Sequence, residues 1–435
     1  MRTAFVSPLP PAATGIADYA ADVLALLAGR HAIDLFHAQP TVDRGRLPAA
    51  CAVYRAETLA ARNRERPYEA VVHQLGNAAH HAFVYDLVSR VPGLLVLHEL
   101  VLFHSRAAMF TDSEAVRAFR RDPSSAALRE AARPSLEAWR QELAYSYGAR
   151  GDDLYDAHLG TVGDLLPYAY PLFRIPVEAS RAVAVHSAHA AAAVRAEVAG
   201  ASVVRVPMPA SAVAVDPRAV WELRRRLGVA EGEVVIGVFG LLTREKRVGT
   251  IARAVARAAA AGGRFRLLLA GPVPDRDALG ALLERAGVRS LAIVTGRLPF
   301  EELATHIEAA DLVAHLRWPS GRETSAALLR VLAQGRPAIV SDLAHQSELP
   351  ADAVRRVDVA REEDDLVAAI TELAGDPRGR LRLGRAAAAY VRAQHGPEAV
   401  AAAWDEALEL CRSRPDPPAR PWPPHWPRPA TATAG

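Results

Sequence analysis

Short apolar runs alternate along this chain with longer stretches whose apolar residues fall at helical spacing, and that alternation constrains the fold more than any other feature. Strands separated by helices predict parallel sheets, buried on both faces, in an α/β architecture. In the first half the runs predict strands at Thr3–Ser7, Ala32–Phe36, Ala70–Gln74, Gly93–His98 and Ala182–His186. Helices such as Ile16–Ala28 and Ala82–Val88 lie between them. From about residue 111 to 179 the sequence is charged, Ala-rich and helical, which reads as an insertion.

Pro207 and Pro209 break the pattern, and a second strand–helix series begins. Its strands are expected at Val234–Phe239, Phe265–Ala270, Leu291–Thr295, Leu312–Ala314, Ala338–Val340 and Val354–Val357. At 435 residues the chain exceeds what one core serves. The expected division is a Rossmann-like domain over 1–208 and a second over 209–395. A helix over 396–412 then packs back on the first domain, and a proline-dense tail over 413–435, holding Trp422 and Trp426, is disordered or extended. Ligands of open parallel sheets bind outside the carboxyl ends of the strands, so two such domains predict an interdomain cleft faced by both sheets.

Several function classes lose their support here. A net charge of +3, with the basic residues scattered, does not make a nucleic-acid surface. Arg224–Arg226 reads as a solvated helix face, and the weak basic charge is compatible with peripheral contact to an anionic membrane. The two cysteines, Cys51 and Cys411, form neither a disulfide framework nor a zinc motif. No apolar run approaches the roughly 20 residues that span a bilayer. Met1–Val6 runs straight into a strand without a leader pattern, so the expected location is the cytoplasm, with the inner membrane face as its extension. No GxGxxG, Walker or GxSxG segment occurs, and His98-Glu99 with His104 has the wrong spacing for HExxH. Neither a metal nor a cofactor is expected.

Three segments carry candidate chemistry. Gly240 ends a predicted strand, and the basic turn after it puts Lys246 at a strand's carboxyl end; phosphate pairing and a solvated loop lysine both fit. Thr324 and Ser325 open a predicted helix, where they either cap it or expose its N–H groups to phosphate oxygens. Gly15 lies between the first strand and the first helix, where a Rossmann unit binds phosphate. His98 ends a strand and should point to the cleft.

Together these segments resemble the retaining glycosyltransferases called glycosyltransferase group 1 (family 4-like, bacterial), whose fold is GT-B. The resemblance rests on Pro10-Pro11 through Gly15-Ile16-Ala17-Asp18-Tyr19, His73-Gln74-Leu75-Gly76-Asn77, and Leu97-His98-Glu99 with His104. It continues in Arg322-Glu323-Thr324-Ser325, Leu329-Arg330-Val331-Leu332, Gly335-Arg336-Pro337 and Ile339-Val340-Ser341-Asp342. It implies that Gly15 approaches the donor phosphates, Lys246 binds the diphosphate, and Glu323 contacts the donor sugar. It also implies that Thr324 and Ser325 meet the phosphates, Gly296-Arg297-Leu298 lies against the nucleobase, and His98 stands near the transferred sugar. Gly240, Arg244 and Arg330 complete the donor set. Asp18, Tyr19, Gln74, Asn77, His98, Glu99 and His104 form the acceptor side, and His98, Glu323 and Lys246 the catalytic set.

Three positions depart from the family pattern. Leu241 stands where an arginine is common, Arg330 stands near the place of a second glutamate, and Arg322 replaces a glycine before Glu323. The implied activity is metal-independent, retaining transfer of a hexosyl group from a nucleotide-diphosphate sugar to a glycan or lipid-linked acceptor, as in polysaccharide biosynthesis. The alternatives are a nucleotide-sugar epimerase of the same fold and a catalytically inactive binding subunit.

Overall fold

A computed structural model describes residues 1–160 and 165–427. By their contacts these fall into two compact units. The first comprises 1–208, 321–324 and everything from 400 onward; the second comprises 209–320 and 325–399.

In the first unit seven strands form one sheet: β1 (Arg2–Val6), β2 (Ala32–His37), β3 (Ala52–Arg55), β4 (Ala70–Leu75), β5 (Leu94–Leu97), β6 (Ala182–Val185) and β7 (Val203–Arg205). Their order is β3-β2-β1-β4-β5-β6-β7 and every pairing is parallel. The strand order reverses between β1 and β4, which register Thr3 against Ala70 and Val6 against His73. That reversal opens a crevice at the carboxyl ends, the ligand position of doubly wound sheets.

Between β5 and β6 the chain makes a helical excursion: Phe103–Thr111, Glu114–Arg121, Ala126–Tyr147, Gly151–Leu159, Leu166–Ala169 and Arg174–Glu178. Residues 161–164 of the predicted insertion lie outside the described residues. The excursion has its own small core, in which Trp139 is fully buried and meets Phe103 edge-on at 5.2 Å.

The second unit repeats the plan with β8 (Val234–Phe239), β9 (Phe265–Ala270), β10 (Ala292–Gly296), β11 (Leu312–His315), β12 (Ala338–Ser341) and β13 (Arg355–Val357). The order is β10-β9-β8-β11-β12-β13, again all parallel, with the reversal between β8 and β11. At the edge of that reversal β8 and β9 end very close together. A Cβ on Gly271 would stand 2.0 Å from the Gly240 carbonyl oxygen, so only glycine fits there.

The helix Pro377–His395 is followed by Pro397–Ser413, which from Val400 onward belongs to the first unit. Trp404 is buried against Phe5 of β1, and Asp405 binds Arg30 and His31. The proline-dense segment after it departs from disorder, one of the two states expected of it. From 415 to 427 it forms neither helix nor strand, with a turn at 424–425, and Trp422 and Trp426 are buried in the first unit's core. Proline already restricts the unfolded chain, so ordering this segment costs less entropy than its length implies, and two indoles supply the burial. Residues 428–435 lie outside the described residues. Among the described residues no helix is long and apolar enough to cross a membrane.

Candidate active site

In the second unit the donor-side candidates gather where β8 and β11 end. Gly240 has φ +95°, a left-handed conformation that glycine takes without strain. A Cβ added to it would sit 3.3 Å from Lys246 Nζ and 3.5 Å from Ala327 Cβ. Three things therefore converge on that one backbone position: the strand end, a lysine and the first turn of the helix Ala326–Ala333. Lys246 is only 3% exposed, and its ammonium donates to the Phe239 carbonyl at 2.6 Å. A charge so far from water is kept at a cost, and an anion beside it offsets that cost. His315, which ends β11, is held well below the ordinary imidazole range by burial and then by the nearby charges of Lys246, Arg317 and His345. The locality is thus electropositive and dry.

Ser325, not Thr324, caps the helix, accepting from the Leu328 N–H at 3.3 Å. Capping and anion binding are compatible, because a helix start has four N–H groups and the hydroxyl uses one. Arg244 is exposed on the turn Arg244–Lys246, Leu241 is exposed beside Gly240, and Arg330 is half-buried on the helix. Gly296, at the end of β10, is buried with φ +73°; Arg297 after it is exposed and Leu298 half-buried.

Residues 321–324 group with the first unit. Gly321 lies between two carboxylates: a Cβ there would be 3.2 Å from both Glu323 Oε2 and Glu99 Oε2. Arg322 has φ +60°, so the residue that replaces the family's glycine keeps a glycine's backbone conformation.

The first-unit candidates lie where β4, β5 and β6 end. His98 is buried, with Nε2 2.5 Å from Gln74 Oε1 and Nδ1 3.1 Å from His186 Nε2. The Tyr19 ring meets His98 edge-on at 4.6 Å and His186 at 5.2 Å. Sequence reasoning missed His186, although it too directly follows a strand. Other candidates brace the loops. Glu99 accepts from the Asn77 N–H at 3.0 Å, Asn77 Oδ1 accepts from Ser105 N at 2.8 Å, and Asp18 pairs with Arg46 at 3.0 Å. Gly15 opens the helix Gly15–Leu27 with nothing within 4 Å of a would-be Cβ, so its backbone is open to solvent. His104 is exposed on the helix Phe103–Thr111, its ring 6.1 Å from Tyr168. His73 is a core residue, its Nε2 2.8 Å from the Val91 carbonyl, and burial pushes its imidazole down to about 4.

Two successive parallel sheets, each reversing beside its first strand, define the GT-B fold. Solved structures with this architecture include Anabaena Alr3699/HepE in complex with UDP-glucose, with a TM-score of 0.63 and 14% identity over 94% of this chain and 99% of that one. Sucrose-phosphate synthase of Thermosynechococcus elongatus aligns with a TM-score of 0.62 and 16% identity over 94% and 98%. Residues 233–376 match the family model "Glycosyl transferases group 1", so the chain carries a group 1 glycosyltransferase domain. A curated relative, 2-deoxystreptamine glucosyltransferase of Streptomyces kanamyceticus, is 35% identical over 98 residues. That match spans 22% of this chain and a quarter of the relative's length.

Proposed function

We propose that this protein transfers a hexosyl group from a nucleotide-diphosphate sugar to a glycan or lipid-linked acceptor, with retention of anomeric configuration and without a divalent metal. The observation that carries the reading is the convergence at Gly240 of buried Lys246 and the Ser325-capped helix start. Breaking the bond between the anomeric carbon and the diphosphate leaves negative charge on the phosphate oxygens. A desolvated ammonium and aligned N–H groups stabilise charge that develops there. Arg244 and Arg330 add further positive charge to this end. The leaving phosphate oxygen accepts the acceptor's proton, so the scheme needs no carboxylate base. Glu323 and His98 hold the sugar, with Tyr19, Gln74, Asn77 and Glu99 on the acceptor side. The group 1 glycosyltransferase domain match favours transfer over epimerisation, the fold being common to both.

A ligand that binds only the folded protein raises its melting temperature. At a hundredfold excess over Kd, one nucleotide sugar among UDP-, GDP-, ADP- and dTDP-sugars is expected to stabilise the protein by about 2.7 kcal/mol, with or without EDTA. Thermal denaturation with each donor checks this, followed by transfer assays on acceptors. No stabilisation by any of the four sinks the reading, and loss of the shift in EDTA sinks its metal independence.

A further inference from the structure

The histidine chain in the first unit has a proton order that its geometry determines. The Val206 carbonyl offers only lone pairs, so His186 Nδ1, 2.8 Å away, must donate to it. A neutral His186 then has a bare Nε2, and His98 Nδ1 at 3.1 Å must donate to that. A neutral His98 has a bare Nε2 in turn, 2.5 Å from the end of the Gln74 side chain. The amide therefore turns its NH2 group to His98. The O and N of a glutamine amide are alike in shape, and their assignment follows from the network. In that orientation the other amide atom, a buried carbonyl oxygen, is the one without a protein partner.

The opposite orientation, with the Gln74 oxygen accepting from His98 Nε2–H, requires an additional proton on the histidine pair. The surroundings oppose it. Tyr19 faces His98 from the helix Gly15–Leu27, Gln74 from β4, His81 from the turn Ala79–His81, and His186 from the end of β6. None of these groups is an anion. Burial, then His186 and His81, hold the His98 imidazole well below its ordinary range.

We propose that His186 is a positioning residue: anchored on the Val206 carbonyl, it fixes His98 as the Nδ1–H tautomer and leaves Nε2 as a hydrogen-bond acceptor. A sugar hydroxyl that takes the place of the Gln74 amide then donates to His98 Nε2. This last consequence rests on the proposed sugar-side role of His98; the proton order does not.

Long-range proton–nitrogen NMR of the full chain labelled with 15N-histidine reads the tautomer directly, with His98→Gln identifying the signal among the fifteen histidines. His98 is expected as Nδ1–H in the wild-type protein; an Nε2–H signature there overturns the proposal without any variant. In His186→Phe, which keeps a ring beside Tyr19, the Nδ1–H signature is expected to disappear. Transfer should also fall on the order of 10–100-fold, the cost of losing an orienting partner. In Gln74→Met the Nδ1–H form should persist, and a switch to Nε2–H would show that Gln74, not His186, sets the tautomer. A His186→Phe protein with native fold and unchanged tautomer also overturns the proposal. A changed tautomer with unchanged transfer upholds the positioning role and removes His98 from the sugar-side reading.

Discussion

Lys246→Met is expected to lower the rate of sugar transfer by about 10²–10³ while the protein stays folded, the usual cost of removing one preorganised stabiliser of developing charge. Methionine keeps the unbranched shape of the buried stem, so the packing around Gly240 and Ala327 changes little. What disappears is a desolvated ammonium that the protein holds against the Phe239 carbonyl at 2.6 Å. Losing the ammonium removes the cost of desolvating it but also takes a donor from the Phe239 carbonyl, so the two effects on the fold oppose each other. Melting temperature without donor should therefore change little, while the stabilisation by nucleotide sugar shrinks. His315, depressed first by burial and then by Lys246, should titrate closer to its ordinary range in the variant. Steady-state transfer at saturating donor, with melting curves taken alongside, separates these effects. An unchanged rate would remove Lys246 from the mechanism and leave its burial a matter of structure alone.

The strands that position the site were legible, and the reason is physical. Val235–Phe239 and Leu267–Ala270 are buried throughout, so each reads as an unbroken apolar run closed by a turn. Two strands escaped. Ala52–Arg55 is an edge strand with no fully buried residue, and Val203–Arg205 is three residues long at the opposite edge. Edge strands bury one side at most and lose the continuous apolar signal. Among the candidates, Gly240, His98 and Ser325 lie at the strand ends and helix start expected of them, with Lys246 on the turn after β8, because the sequence marks such places well. Choosing the capping residue between Thr324 and Ser325 needed backbone geometry. His186 carried the same mark as His98, a histidine directly after a strand. Its value depends on a cross-strand contact between β5 and β6 that no local pattern encodes. The C-terminal segment misled for the opposite reason. Proline density correctly denies it helix and sheet, yet an irregular segment can still dock through its aromatic residues.

That docking gives the largest expected stability effect. Trp426→Ala should destabilise the first unit by about 3–5 kcal/mol, the range for truncating a fully packed tryptophan. Trp426 lies in the sheet's core cluster, 3% exposed, edge-on to Tyr85 at 6.1 Å. Its indole N–H donates to Glu142 Oε2, and the Arg106 guanidinium stacks over its ring at 4.4 Å. Arg106 and Glu142 form a two-pronged buried pair, with both contacts at 2.9 Å, and His425 adds a further bond to the carboxylate at 2.8 Å. Removing the indole withdraws both the apolar lid and one donor from a charge pair that is expensive to bury without full partnering. The pair also sets a pH dependence. Burial alone would raise the Glu142 carboxyl; the Arg106 charge, with the hydrogen bonds from His425 and Arg106, overrides it and holds the group at about 2. A depressed carboxyl stabilises fully above its unfolded value of about 4.3 and loses that contribution as pH falls through about 2. Urea unfolding of wild type and Trp426→Ala at neutral pH measures the first effect, and wild-type midpoints between pH 5 and 2 measure the second. A midpoint shift no larger than the roughly 0.5 kcal/mol of a surface substitution would mean that the segment rests on the unit without holding it.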